Sequence, residues 1–311
     1  MEKVVLYWSN ICVLHKQEMK HIEAAQEKLK QQGIDLAVHY FGLGYPYRLS
    51  QYLRENKDKW PDLLVSTDLE VFEDSRLFAE LAPDLYELTA NFPLKEHFAQ
   101  TAIQCHPGLI PFAVIPLIFY GAANQQQALM DIIAEQKTIA FGGIHNSAAP
   151  CVLKAVWSQF GLAAAQKLRD QASITNMPIQ AFQKARLRQT ELAIVPSLYA
   201  ARADGLDYFA AVPAEGAVAL PSYACARKTI ARETALKVLT QLFTPEFCQF
   251  LVRSGDVLCP LTGAPAHPKL ESVNLLYPSR RWLQETTPEE FAAFYAPVLE
   301  PITRQKIVQN A

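Results

Sequence analysis

Four short polar segments carry most of the side chains that could bind a ligand. Ser9–Cys12, Ser66–Asp68, His145–Ser147 and Ser197–Tyr199 each follow a short run of apolar, strand-forming residues. In an open α/β sheet, ligands bind at the carboxyl ends of the strands, where helix N-termini present their N–H groups. The side chains predicted to contact a ligand there are Asn10, Cys12, Ser66, Thr67, Asp68, His145, Asn146, Ser147 and Tyr199.

A second interpretation makes the bound species a metal. Cys12 and His15 are three residues apart and would share one face of a helix. A thiolate and an imidazole suit zinc, copper(I) or another soft metal. The metal ligands would then be Cys12, His145 and Tyr199. Two ligands do not complete a four-coordinate site, so the alternative stays open that Cys12 packs under the sheet and His15 faces solvent. No cofactor is required, because a metal ion or metal chelate would itself be the ligand.

The other candidates have structural alternatives as well. His145 follows Gly142–Gly143 at a strand end, where the backbone can approach a ligand closely; it could instead be a hydrogen-bonded capping histidine. Tyr199 either closes over a ligand or is a wall tyrosine bonded to backbone. Asp68 either contacts ligand or caps the helix that follows it, and Ser147 is the predicted N-cap of its helix.

Strand and helix patterns alternate along the first part of the chain. The hydrophobic periodicity predicts strands at Lys3–Trp8, Ile34–Tyr40 and Leu63–Val65, and helices at His15–Gln32 and Tyr47–Lys59. A β-α-β-α-β order of this kind predicts a parallel sheet with helices on both faces.

The pattern repeats after residue 137. Strands are predicted at Thr138–Phe141, Glu191–Val195, Asp207–Val212 and Ala217–Leu220. The apolar run Pro111–Tyr120 contains two prolines, which central strands exclude. A strand that passes between two domains would satisfy this constraint.

Composition excludes several classes of function. The chain has 311 residues, half of them hydrophobic, and a net charge of −2, which does not support a basic surface for nucleic acid. Its longest apolar stretch is shorter than the roughly 20 residues of a membrane span, so no direct membrane insertion is expected. The start has no signal-peptide pattern, which predicts a cytoplasmic protein, or a periplasmic or extracellular one if a leader was removed. Six cysteines without a CxxC pair favour a reducing compartment.

Four motifs, in order along most of the chain, resemble those of a known family. Pro61–Asp68 is similar to a strand end that faces the ligand cleft, and Glu191–Ala200 to a turn that carries metal-binding tyrosines. Pro213–Pro221 is similar to a segment before a domain crossing, and Leu239–Gly255 to a C-terminal helix. Together they resemble the type 2 periplasmic-binding-protein superfamily, and most of all its ferric-iron receptors.

The resemblance implies an α/β fold of two Rossmann-like lobes with mixed sheets, joined by a two-strand hinge and separated by a ligand cleft. The predicted lobe 1 is 1–106 plus 224–270, and lobe 2 is 107–223 plus 271–311. One departure concerns the metal. Ferric receptors place two adjacent tyrosines at this turn, whereas Leu198 occupies the first position here and only Tyr199 remains.

The implied function is a non-enzymatic, monomeric solute-binding protein that closes over a small polar ligand, anion or metal species for an ABC permease. Two alternatives stay open. One is a cytoplasmic ligand-sensing regulator. The other is a thiol-dependent enzyme in which Cys12 and His145 act as nucleophile and base, although the sequence has no GxSxG, phosphate-loop or HExxH motif.

Overall fold

A computed structural model of the chain describes residues 1–11, 14–42, 44–122 and 127–309. They form two compact α/β units, which confirms the predicted fold class. Unit 1 comprises Met1–Val114 and Pro221–Glu271, and unit 2 comprises Ile115–Leu220 and Ser272–Ala311. The lobe limits given above from the sequence, and the hinge between the lobes, stay predictions.

The strands are numbered in chain order. They are β1 (Glu2–Ser9), β2 (Ile34–Phe41), β3 (Leu63–Ser66), β4 (Ile110–Gly121), β5 (Ile139–Gly142), β6 (Ser173–Thr175), β7 (Leu192–Pro196), β8 (Phe209–Ala211), β9 (Ala217–Ala226) and β10 (Leu275–Leu276).

The α-helices connect and cover these strands. They are α1 (His15–Gln31), α2 (Leu49–Glu55), α3 (Glu70–Glu73), α4 (Ser75–Leu81), α5 (Glu96–Ala99), α6 (Leu129–Ala134), α7 (Ala148–Phe160), α8 (Leu162–Gln171), α9 (Pro178–Arg186), α10 (Ser197–Ala200), α11 (Arg232–Leu242), α12 (Pro245–Ser254), α13 (Arg280–Glu285) and α14 (Pro288–Gln309). Within the part of the chain that the structure describes, none of them is both long and apolar enough to cross a membrane.

The two units repeat one strand arrangement. In unit 1 the order is β2-β1-β3-β9, with the first three strands parallel and β9 antiparallel to β3. In unit 2 the order is β6-β5-β7-β4, again with three parallel strands and an antiparallel fourth. In each unit one strand, β1 or β5, therefore lies between two parallel neighbours.

Helix α1 shows how the sequence forms these elements. Ile22, Ala25 and Leu29 recur at helical spacing and are all buried, while the intervening positions, which are polar except for Ala24, are exposed or half-buried. This pattern buries one stripe of the helix against the sheet. Gly33 follows with φ +83°, a left-handed conformation that glycine adopts without steric cost, and the chain turns into β2.

Strand β9 is longer than the sequence pattern predicts. The sequence predicts a strand over Ala217–Leu220, but the strand continues through Pro221 to Ala226. Its first part pairs with β10 in unit 2, and its last part pairs with β3 in unit 1. The chain thus passes from one unit to the other within β9, and also within β4, between Val114 and Ile115.

Candidate functional site

In unit 1 the loops after β1 and β3 leave neighbouring parallel strands at the same edge of the sheet. The chain continues from β1 through α1 to β2, while β3 lies on the other side of β1. Such a topological switch point is where open α/β sheets bind ligands. Thr67 Oγ1 lies 3.5 Å from the carbonyl oxygen of Asn10. The structure therefore brings together Asn10 and the segment Ser66–Asp68.

A chain of hydrogen bonds runs from Asn10 along the loop. Asn10 Nδ2 is 3.3 Å from His15 Nδ1, and His15 Nε2 is 3.3 Å from the Tyr45 hydroxyl. In the tautomer that carries its proton on Nε2, the imidazole accepts from Asn10 Nδ2 at Nδ1 and donates to the Tyr45 hydroxyl from Nε2. Tyr45 in turn donates to Met19 Sδ and stacks on Tyr40. His15 is thus half-buried and held at both ring nitrogens, instead of facing solvent.

Gly42 lies against the Asn10 side chain, where a larger residue would not fit. It follows β2 with φ +101°, and a Cβ at this position would lie 2.9 Å from Asn10 Oδ1. The backbone N–H of Asn10 also donates to the Phe41 carbonyl at 3.1 Å. A glycine is needed here both for its conformation and for the close approach of the asparagine amide.

The carboxylate of Asp68 is fully occupied by its own unit. Arg48 Nη2 donates to Asp68 Oδ1 at 2.8 Å, and the Ser50 N–H donates to Oδ2 at 3.0 Å. Asp68 therefore caps α2, which precedes it, and the prediction that it caps the following helix is wrong. Its own N–H donates to Ser66 Oγ at 2.9 Å. These bonds make the Ser66–Asp68 turn rigid.

A buried carboxyl group supports the loop after β1. Glu18 is 1% exposed, and its Oε2 accepts from the Ile11 N–H at 2.9 Å. Burial raises the pKa of Glu18 to about 8, and the Ile11 N–H and the nearby Trp8 indole oppose that rise. A group with this pKa is mostly protonated at neutral pH, because the low-dielectric interior disfavours its charged form.

Sequence reasoning missed Ser222, which belongs to the same edge. β9 runs antiparallel to β3, with Ser66 opposite Tyr223, so Ser222 lies opposite Thr67. Val65 of β3 pairs with Trp8 of β1 on one side and with Ala224 of β9 on the other. Continuing each strand by two residues on the same face of the sheet leads to Asn10, Thr67 and Ser222, which lie just beyond the last paired residues. Ser222 could have been placed beside Asn10 and Thr67 only if the full length of β9 had been predicted. Pro221 argues against a continuous strand in the sequence, because proline is uncommon inside central strands.

The Ser222 hydroxyl is a candidate ligand contact. It is 0% exposed, and its Oγ has no hydrogen-bond partner among the described residues.

Ser222→Ala is expected to leave the free energy of unfolding unchanged or to raise it by up to about 1 kcal/mol, because it removes a desolvated hydroxyl without breaking a bond. Urea unfolding measures this. Ser66→Ala is the matched control and should cost about 1 kcal/mol, since it breaks the bond to Asp68. A loss of more than 1 kcal/mol in Ser222→Ala would contradict the assignment of its hydroxyl as a group without a partner in the folded protein.

In unit 2 the loop after β5 occupies the equivalent position. The Ala148 N–H donates to Asn146 Oδ1 at 2.9 Å, so Asn146 caps the first turn of α7. Ser147 stands at the N-cap position but makes no capping bond, and the prediction that it caps the helix is wrong. Gly143, with φ +100°, leaves the space that the Asn146 amide occupies. His145 is exposed, whereas Ser147 is buried.

The loop after β7 places its tyrosine in the core of unit 2. Tyr199 is 6% exposed and packs among buried residues that include Phe182, whose ring centroid is 6.0 Å away. The Arg202 guanidinium lies 5.3 Å from the centroid of the Tyr199 ring. A ligand-binding role for Tyr199 stays a prediction.

The described residues contain no group of three or more His, Cys, Asp or Glu side chains that could hold a metal ion. Cys12 lies outside the described residues. The hypothesis that Cys12, His145 and Tyr199 bind a metal therefore stays a prediction.

A groove of about 440 Å³ with both apolar and polar lining residues lies in unit 2 beside the loop after β5. Ile144, Thr175 and Asn176 line it at the strand ends, and Gln180 and Lys184 line it from α9. Its hydroxyl, amide and ammonium groups offer hydrogen bonds to an oxygen-rich solute. Sequence analysis assigned these residues no role.

Comparison with solved structures identifies the fold. A ferric binding protein from Campylobacter jejuni superposes with a TM-score of 0.66 at 11% identity, covering 95% of this chain and 99% of the other. The periplasmic binding protein AfuA from Actinobacillus pleuropneumoniae, with fructose-6-phosphate bound, gives 0.62 at 14% identity, covering 96% and 98%. The substrate binding protein of an ABC transporter from Agrobacterium tumefaciens gives 0.62 at 12% identity, covering 96% and 95%.

The chain therefore has the fold of the periplasmic binding proteins, and the predicted type 2 resemblance is confirmed at the level of the fold. The sequence matches no protein-family model and no curated protein. The structural neighbours whose descriptions name a ligand name different ones, ferric iron, fructose-6-phosphate and thiamin among them, so the fold alone does not identify a ligand.

Proposed function

We propose that this chain is a non-enzymatic solute-binding protein that closes its two units over one small polar ligand and delivers it to an ABC-type importer. The observation that carries the proposal is the repeated strand order. Each unit has its own switch point, with polar loops after two parallel strands. Ligand capture by closure of two such units needs positioned hydrogen-bond donors and acceptors, and no reacting group.

The four loops favour a ligand that is recognised by hydrogen bonds. None of Ser9–Cys12, Ser66–Asp68, His145–Ser147 and Ser197–Tyr199 contains Lys or Arg. The nearby Arg48 is already paired with Asp68 and Glu70. Hydroxyl, amide and imidazole groups would therefore hold an uncharged polar solute better than a multiply charged anion. A metal species is the alternative, and it depends on Cys12.

Two further functions compete with import. A cytoplasmic sensor would use the same closure to change its contacts with a protein partner. A thiol enzyme would use Cys12 as nucleophile with His145 as base, and alkylation of Cys12 would then abolish turnover. Solute binding is preferred because the groups that are brought together in unit 1, Asn10, Thr67 and Ser222, are hydrogen-bonding side chains without a strong nucleophile.

Native mass spectrometry with elemental analysis, on protein purified without added metal, tests the proposal. One organic molecule per chain would support the polar-solute form, and one metal per chain would support the metal form. A chain that carries neither, and whose melting temperature no sugar, carboxylate, oxyanion, amino acid or metal changes, would contradict a solute-binding role.

Substitutions in the two units then test the site. Thr67→Val and His145→Ala are each expected to weaken binding of the co-purified molecule about tenfold, the effect of losing one hydrogen bond of about 1.4 kcal/mol. Isothermal titration calorimetry measures this. Thr229→Val is the matched control, because Thr229 bonds Asp62 at the amino end of β3 and should not change affinity. Unchanged affinity in both test variants would place the ligand elsewhere.

A further inference from the structure

A buried histidine organises the last segment of unit 1, to which sequence analysis assigned no function. His267 is 4% exposed and lies in residues 265–271, which form neither helix nor strand. Its ring nitrogen Nδ1 accepts from the backbone N–H groups of Lys269, at 3.2 Å, and Leu270, at 3.0 Å. Its other ring nitrogen, Nε2, lies 2.9 Å from Asp256 Oδ1. The imidazole is thus held at both ring nitrogens.

These contacts determine the protonation state of the His267 ring. A backbone N–H can only donate, so Nδ1 carries a lone pair and no proton. The proton of the neutral imidazole is then on Nε2, which donates to the Asp256 carboxylate. A second proton would have to sit on Nδ1, where it would face two N–H donors. The closed segment therefore excludes the imidazolium form.

The same segment anchors the residue at which the chain leaves unit 1. Glu271 is the last residue of unit 1, and the chain enters unit 2 at Ser272. Glu271 Oε2 accepts from the His267 backbone N–H at 2.8 Å, and its Oε1 accepts from Lys95 Nζ at 2.7 Å. The Lys95 ammonium also donates to the Pro265 carbonyl at 3.2 Å. Opening of residues 265–271 would therefore free the start of the connection to unit 2.

We propose that His267 is an acid-sensitive latch, which holds residues 265–271 closed at neutral pH and releases them, together with Glu271, when its Nδ1 is protonated. Opening exposes Nδ1 to water, where it can take up a proton, so the open form binds more protons than the closed form. By linkage, the closed form then loses stability as the pH falls. Histidine suits such a change, because it is the side chain that ordinarily titrates between about pH 5 and 8.

The other charged groups around His267 do not replace it as the acid sensor. Asp256 by itself would favour the imidazolium, but it faces Nε2, and the added proton has to go to Nδ1. His97 is 47% exposed, with its Nε2 3.7 Å from Glu271 Oε1, and its protonation would strengthen the hold on that carboxylate. The remaining groups are of types that ordinarily keep one charge between about pH 5.5 and 7.5, namely those of Asp256, Glu271, Lys95 and Lys269.

Digestion of the full chain with a glutamate-specific endoprotease measures the opening, and it needs no solute. The protease can cleave between Glu271 and Ser272 only after the Glu271 side chain has left Lys95. Mass spectrometry quantifies the fragment that begins at Ser272 at about pH 7.5 and about pH 5.5, and a synthetic peptide of residues 266–277 corrects for the pH dependence of the protease. The corrected rate is expected to rise about tenfold at the lower pH, because the open form gains a proton with the ordinary affinity of histidine and cleavage follows the open population.

Two histidine variants assign the effect to one side chain. In His267→Asn the amide oxygen can accept from the Lys269 and Leu270 N–H groups but cannot titrate, so its corrected rate should be the same at both pH values. His97→Asn removes the other histidine beside Glu271 and should keep the rise of the parent protein. The parent protein alone decides the matter if His267→Asn folds poorly. Equal corrected rates of the parent at the two pH values, including no cleavage at either, would overturn the proposal, and so would a rise that persists in His267→Asn or is abolished in His97→Asn.

Discussion

Replacing Glu18 by glutamine is expected to make the free energy of unfolding much less dependent on pH between about 4.5 and 8. The folded-state pKa of about 8 lies above the ordinary value of 4.5, so the folded protein binds this proton more tightly than the unfolded chain does. The stability that the protonated group provides is fully present below pH 4.5 and is lost as the pH rises through 8. The size of this effect is on the order of 5 kcal/mol.

Urea unfolding at a series of pH values measures the difference between the two proteins. Glutamine has nearly the same shape and can still accept from the Ile11 N–H, so Glu18→Gln should be the more stable protein at pH 9. Glu27→Gln, at an exposed position on the same helix, is the matched control and should follow the parent protein. A Glu18→Gln variant whose stability falls with rising pH as steeply as that of the parent protein would refute the raised pKa of Glu18.

Replacing Asp68 by alanine is expected to cost unit 1 about 3 kcal/mol of stability. The substitution leaves the Ser50 N–H without its acceptor and takes one of two carboxylate partners from Arg48. Breaking a buried ion pair by removing one partner is strongly destabilising, because the other charge stays desolvated. Arg48 is 28% exposed and keeps Glu70, which places the cost at the lower end of the usual range.

Asp68→Asn separates the two contributions. The amide oxygen can still accept from Ser50, so this variant should lose about 2 kcal/mol, while Asp58→Ala, at an exposed aspartate of the same unit, should lose almost nothing. Thermal unfolding followed by circular dichroism measures all three. If Asp68→Ala were as stable as the parent and bound no solute, Asp68 would be a ligand contact and not a structural ion pair.

Much of the fold could be predicted from the sequence because local patterns determine it. The β-α-β order of the first 66 residues follows from apolar runs, helical spacing and the glycine after α1. The short strand β6 and helix α8 were not predicted. β6 has only three residues, and α8 begins two residues after α7 ends, so neither produces a separate pattern.

The candidate site was predicted as loops, and the contacts of individual side chains were not. The rule that ligands bind at the carboxyl ends of strands selected Asn10 and Thr67, which the structure brings together. It also selected Asp68, whose carboxylate instead caps α2 and pairs with Arg48. A turn sequence gives the position of a side chain along the chain, but its partners come from distant segments.

By itself, the sequence determined the α/β class, the repeated order of elements and the four polar loops, because these depend on residue type and spacing within short windows. Only the tertiary structure decided two other features: that Glu18 is buried and holds its proton, and that Ser222 lies close in register to Asn10 and Thr67. Each depends on a contact between segments that are distant in the sequence, and a local sequence pattern does not predict such a contact. Burial raises the pKa of Glu18, and strand pairing sets the position of Ser222.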